Sequence, residues 1–168
     1  MKTGIAGFDE FLRGGLASRV FLLLGPPDSG KEVFARHVAF ARAKEQGVSY
    51  VTTSQLPESV RDDMSAYGLN TKPFEDTGQW RFVSGIPDSS LHDVVFEQVE
   101  EGRMVVLDSL SELPGSEGSS QIALLCGLSA LNRQRQGLHL LLFTQGMHDS
   151  TLETAVQHYA EGVIVFST

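Results

Sequence analysis

The chain has 168 residues, 41% of them hydrophobic, and a formal net charge of −8. That length supports one domain with one sizeable core. The acidic balance argues against a broad nucleic-acid or anionic-membrane surface, and the single cysteine, Cys126, excludes an intrachain disulfide and suits a reducing compartment.

Residues 1–17 lack the continuous apolar core of a signal peptide, and no apolar run reaches membrane-spanning length. A cytoplasmic protein without a membrane partner is expected. Phe8, Phe11 and Leu12 stand at i, i+3 and i+4, which predicts a short amphipathic helix ended by Gly14-Gly15. Residues 20–24 form an apolar run of strand length. Residues 30–46 read as a helix with Phe34, Val38 and Ala41 on one face and Gly47 as its stop. A strand is expected over 48–52, then a helix opened by Pro57 and Glu58, with Val60, Met64 and Tyr67 sharing a face. Residues 70–79 read as a polar loop, and 80–83 as a short strand. A helix over 91–101 turns Leu91, Val94, Val95 and Val99 inward, and the very apolar strand 104–107 follows it, ending at Asp108. The segment 114–120, PGSEGSS, reads as a flexible loop. Then come a helix over 121–136 with Leu124, Leu125, Leu128 and Leu131 inward, a strand over 138–143, a helix over 152–159 and a last strand over 162–166.

Strand and helix alternate throughout, and the strands are apolar runs without period-2 alternation. This predicts an α/β fold, a mostly parallel sheet with helices on both faces. No linker is long enough to divide it, so residues 1–168 are expected to form one domain.

The most informative stretch is Gly25-Pro26-Pro27-Asp28-Ser29-Gly30-Lys31-Glu32. It lies between a strand and a helix and fits the phosphate-loop pattern G-x-x-x-x-G-K-[ST] except at its last position. The glycines let backbone amides wrap an anion at a helix start, and Lys31 would reach the outer phosphates. The hydroxyl that normally holds Mg²⁺ is replaced by Glu32. Asp108, a carboxylate at the end of an apolar strand, is the candidate second metal contact; capping the next turn is its plainer role.

From these residues on, the chain resembles the KaiC-like ATPases of the RecA superfamily. GIAGFDEFLRGGL looks like that family's G-x-x-x-[LF]-D-x-x-x-x-G-G-[LI] lead-in, and GPPDSGKE sits at its phosphate loop. YVTTSQLPESV matches its strand after the first helix, VVLDSLSEL its Walker B segment, and TAVQHYAEGVIVF its E-x-x-x-x-H-x-A-D-G-[VI]-[IV] ending. The resemblance implies a RecA-like P-loop core, ATP or ADP with Mg²⁺ as ligand, and a habit of ring or filament assembly. It also implies that the family's C-terminal strands, which carry a basic residue toward a neighbouring subunit, are missing after Phe166.

The departures shape the functional expectation. The family's paired glutamates, which polarise the attacking water, fall on Ser54 and Gln55. Neither is a general base near neutral pH, although Gln55 retains the capacity to orient a water. Glu32 facing a polyphosphate costs roughly 4 kcal/mol at 4 Å and an effective dielectric near 20. Mg²⁺ would offset this, as would pairing of Glu32 with Arg36 one turn along, or of Lys31 with Glu32 or Asp108. The expected protein is a nucleotide-binding or pseudo-ATPase module, regulatory or scaffolding, acting through protein partners and as a homo-oligomer. An active Mg²⁺-dependent ATPase and a recombinase-type DNA-binding subunit are the alternatives.

Gln145, past a core strand, stands where RecA-type proteins often sense the γ-phosphate. Ser109 and Ser111 are candidate phosphate or partner contacts, or plain turn residues. The five histidines lack metal-ligand spacing, His139 reads as a core residue and His158 as structural. Arg42, Lys44, Arg133 and Arg135 are the main basic surface, read as a solvated face.

Overall fold

The computed structural model describes residues 1–113 and 118–168. Six strands form one sheet: β1 (Val20–Gly25), β2 (Val48–Thr52), β3 (Trp80–Val83), β4 (Met104–Asp108), β5 (His139–Thr144) and β6 (Gly162–Val165). Their order is β3-β2-β4-β5-β1-β6, and every pairing is parallel. Among the described residues seven α-helices accompany them: α1 (Ala6–Phe11), α2 (Lys31–Ala43), α3 (Pro57–Ala66), α4 (Lys72–Asp76), α5 (Asp88–Glu100), α6 (Ser119–Arg135) and α7 (Ser150–Tyr159).

The apolar strands serve two cores at once, because successive side chains leave a strand on opposite faces. Leu23, Tyr50, Met104, Val106, Leu140 and Leu142 pack with Phe34, Ala35 and Val38 of α2 and Val60 and Met64 of α3. Leu22, Leu24, Val105, Leu107, Leu141 and Phe143 pack on the other side with α5, α6 and α7. A strand covered on both faces has no position for a solvated residue, hence the unbroken apolar runs. The two edge strands are the exceptions: Val165 of β6 and Arg81 of β3 are exposed.

The lead-in is anchored by Asp9. Its carboxylate accepts from Thr3 N at 2.6 Å, Thr3 Oγ1 at 2.8 Å and Gly4 N at 3.2 Å. The Thr3 amide bond is the main reason the Asp9 carboxyl lies below its usual range. Phe8 packs edge-on against Phe34, with ring centres 5.2 Å apart. Phe11, expected on the same buried face, is instead 79% exposed, because α1 is too short to bring both rings against α2.

The other differences are local. The polar stretch 70–79 contains α4, started by Pro73 in its first turn and held by Thr71 Oγ1 and Arg61, both donating to Glu75. Helices α5, α6 and α7 begin two or three residues before the apolar periodicity does, since first turns are polar. Of the expected 114–120 loop, 114–117 lie outside the described residues; Gly118, with φ 72°, caps α6. Val94 and Leu131 are only half-buried, and Cys126 is half-buried on α6.

His139 is a core residue, as its strand context predicts. Its Nδ1 accepts from Val105 N at 3.0 Å, so the proton of the neutral ring is on Nε2. Burial lowers its pKa to about 4. The unfolded chain therefore takes up this proton first as the pH falls, and stability is lost between about pH 6.5 and about 4. The full loss is about 3 kcal/mol, read from urea unfolding across that range. His139→Gln, which keeps an acceptor and does not titrate, flattens that limb of the curve.

Candidate functional site

β1 ends at Gly25 and α2 begins at Lys31, so the intervening loop rises from the C-terminal edge of the sheet. Asp28 has φ 57° and Gly30 φ 89°, the left-handed turns that reverse the chain into the helix. A Cβ on Gly30 would stand in open space, so its φ is what requires glycine there. Gly25 is constrained differently. A Cβ there would lie 2.5 Å from Ser29 Oγ and 2.9 Å from Phe166 Cβ, because the loop folds closely over the strand end.

Lys31 is fully buried under this loop. Its Nζ donates to Pro26 O at 3.1 Å and lies 2.8 Å from Glu32 Oε1. The adjacent carboxylate thus neutralises the ammonium that would meet a phosphate. Of the arrangements the sequence left open, the Lys31–Glu32 pair is the one formed; Glu32 does not turn to Arg36.

Arg36 takes another role. It is buried on α2, and its guanidinium gathers groups from four elements of the chain. Nε donates to Tyr50 OH at 3.3 Å, Nη1 to Asp63 Oδ2 at 3.3 Å and Nη2 to Gln55 Oε1 at 3.1 Å. Nη2 also lies 3.8 Å from Asp108 Oδ2. Burial opposes the guanidinium's charge, but Tyr50, Asp108 and Asp63 more than offset that and hold its pKa above the ordinary value.

Asp108 ends β4 beside Thr52 of β2 and is almost wholly buried. Tyr50 OH donates to its Oδ2 at 2.8 Å. Burial raises the Asp108 carboxyl above the usual carboxylate range, against the pull of Tyr50 and Arg36. Burial, with Asp108 beside it, also holds the Tyr50 phenol well above its usual value, so it remains a donor. After Asp108 the peptide bond to Ser109 is cis. Ser109 and Ser111 are buried structural residues. Their hydroxyls bond to each other, Ser109 Oγ donates to Leu142 O at 3.1 Å, and Ser111 Oγ accepts from Thr144 N at 3.2 Å.

Above the loop lies a cleft of about 560 Å³ lined by Asp28, Gly30, Lys31, Glu32, Arg36 and Gln55, with Asp63, Tyr67 and Thr144 among its other walls. Asp108 and Tyr50 lie behind Arg36 and are not part of its lining. Gln55 is therefore in the cleft, though its side-chain oxygen is engaged by Arg36, and Ser54 beside it is exposed. Gln145 is exposed and reaches the loop only through its backbone N–H, which donates to Gly25 O at 2.9 Å. Thr144, not Gln145, faces the cleft at that strand end. Sequence reasoning missed Arg36 as a site residue, along with Tyr50, Asp63 and Thr144. Arg36 follows Glu32 at i+4 on a helix that starts at the loop, and that spacing was the available signal. The basic surface expected around Arg42 is partly neutralised, since Arg42 bonds Glu45 and Gln46.

The polyphosphate of a nucleotide fits this cradle: a positive-φ loop at the start of a 13-residue helix, a buried ammonium and a buried guanidinium. Gly25 to Glu32 are the residues that would hold it. Mg²⁺ does not fit the donor set. Glu32 is paired to Lys31 and Asp108 is engaged by Tyr50 and Arg36, so neither carboxylate is free to take it. Among the described residues no helix is long and apolar enough to cross a membrane.

A sequence profile described as "ATPase: KaiC" matches residues 1–167. A UPF0273 protein of Pyrococcus horikoshii is 35% identical over 123 residues, covering 64% of this chain and 49% of its own length. The circadian clock protein KaiC3 of Synechocystis is 32% identical over 108 residues, which cover 62% of this chain and 21% of that protein. The DNA repair and recombination protein RadB of P. horikoshii is 29% identical over 184 aligned positions, covering all of this chain and 76% of RadB. The chain thus spans about half the length of the first curated relatives it matches. A solved KaiC-like protein of P. horikoshii superposes with a TM-score of 0.81 at 23% identity, covering 99% of this chain and 80% of that one, and so shares the fold.

Tyr50→Phe removes the buried donor to Asp108. Urea unfolding at pH 7 is expected to show a loss of about 2 kcal/mol, the worth of a hydrogen bond to a charged group. The deficit shrinks at acid pH, where Asp108 is protonated and no longer depends on that donor.

Proposed function

The chain belongs to the KaiC ATPase family, and on that footing we propose that it is a member whose phosphate loop persists while ATP hydrolysis is weak or lost. Its role is that of a regulatory or scaffolding module acting through protein partners, further copies of the same chain among them. The observation that carries this reading is the state of the catalytic positions. Gln55 stands where the family has a water-polarising carboxylate, and its amide oxygen accepts from Arg36. A residue with no basic atom and an engaged oxygen does not take a proton from water. The Lys31–Glu32 pair supports it too, because the ammonium that would stabilise phosphate charge is already neutralised.

ATP or ADP remains the ligand class of the loop. Exposed Leu56 and Tyr67 near the cleft, and Val163 and Val165 on the open edge strand, are apolar surface that protein contacts would cover. The DNA-binding alternative suggested by the likeness to RadB has less support. Arg42, Arg61, Lys72 and Arg81 are each paired with an acidic residue, and the net charge is −8.

Phosphate release from ATP with Mg²⁺ is the direct test. Loss of a general base typically costs about 10²–10⁴-fold. The protein is expected to show no turnover above its Lys31→Ala variant. Turnover clearly above background and abolished by Lys31→Ala restores the active-ATPase reading.

A further inference from the structure

Arg36 is the second cation of the cleft, beside Lys31. It is buried, yet its guanidinium lines the same cavity as Lys31, Glu32 and Thr144. The acceptors around it are those a divalent cation would seek. Asp108 ends the strand, Gln55 replaces the family glutamate, and Asp63 projects from α3. The usual metal-binding position on the same helix is altered as well. The hydroxyl after Lys31 is gone, and the carboxylate in its place is held by Lys31 at 2.8 Å. A guanidinium is permanently charged, planar and suited to bidentate contact with phosphate oxygens.

We propose that Arg36 replaces the divalent cation, so that the cleft takes a nucleoside di- or triphosphate without metal. This rests on the reading of a retained nucleotide pocket and adds how its charge is balanced. On binding, the polyphosphate displaces Glu32 from Lys31. The Glu32 side chain is 30% exposed, so it has a route to water. Lys31 and the loop amides then face the anion, and Arg36 joins them by turning the N–H groups now given to Asp63 and Gln55 toward it. Asp28 and Asp63 remain at the rim as opposing charges, which holds the affinity to the micromolar range or weaker. Asp108 stays with Tyr50 and Arg36 and does not recruit Mg²⁺.

Isothermal titration with ATP and with ADP, each in EDTA and in excess Mg²⁺, tests this. The wild-type protein is expected to bind with Kd values that agree within about threefold across the two conditions. Arg36→Gln weakens binding in EDTA by roughly tenfold or more, the worth of a charge-assisted contact. Arg36→Lys keeps the charge and retains binding in EDTA, which guards against loss of fold in the glutamine variant. Glu32→Gln tightens binding by roughly tenfold, since the competing carboxylate is removed. Binding that requires Mg²⁺, no heat under any condition, or an Arg36→Gln variant that binds as the wild type overturns the proposal. Phosphate release measured in the same Mg²⁺ samples separates the two readings. Turnover overturns the hydrolysis-deficient module, whereas Mg²⁺-dependent binding without turnover overturns only the role of Arg36.

Discussion

A buried cation must meet an anion, and this constraint organises the upper edge of the sheet. Lys31 and Arg36 are both carried inward by α2, which packs its apolar face on the sheet and cannot turn them to solvent. Lys31 is answered by its neighbour Glu32. Arg36 is answered by Asp108, Asp63, Gln55 and Tyr50, contributed by β4, α3, the β2–α3 loop and β2. Removing Glu32 or Asp108 would leave a buried cation short of its nearest carboxylate or its most buried one. The second set therefore ties the start of α3 and the end of β4 to α2 more firmly than apolar packing alone.

The sheet order makes these meetings feasible. β2 lies directly beside β4, so Tyr50 and Asp108 reach each other across one strand pair. β5 separates β4 from β1 and ends at Thr144, which lines the cleft beside the loop. All strands run the same way, so all their following loops gather at one edge, where parallel sheets place ligands. The opposite edge has a different character. There Arg103 spans Ser49, Val48, Gly78 and Gln79, and serves structure by satisfying backbone carbonyls.

In an active phosphate-loop enzyme the ligand and its metal supply the charges that order the loops after the strands. Here the chain supplies them itself. Glu32 stands in for a phosphate at Lys31, and Arg36 stands in for a cation at Asp108. The charges of the cleft are thus paired within the chain itself. Only the first of these pairs is open to exchange, because Glu32 is partly exposed whereas Arg36 and Asp108 are buried.

The fold was legible in the sequence because the pattern that reveals it is local. Apolar runs of strand length, helices between them, and Gly25 to Lys31 at a strand–helix junction need no knowledge of distant contacts. That positions 54 and 55 carry Ser and Gln, not carboxylates, is likewise a matter of residue type. α4 and the exposure of Phe11 were not legible: the first depends on Arg61 reaching Glu75 from another helix, the second on how short α1 is. The role of Arg36 was the largest omission. Its chemistry is set by four partners separated from it by between 14 and 72 residues in the chain, brought together only when β2, β4 and α3 close around α2. Sequence determined which ionisable groups exist and which element carries each; tertiary structure decided their pairing, because charges buried at one sheet edge choose partners by distance in space.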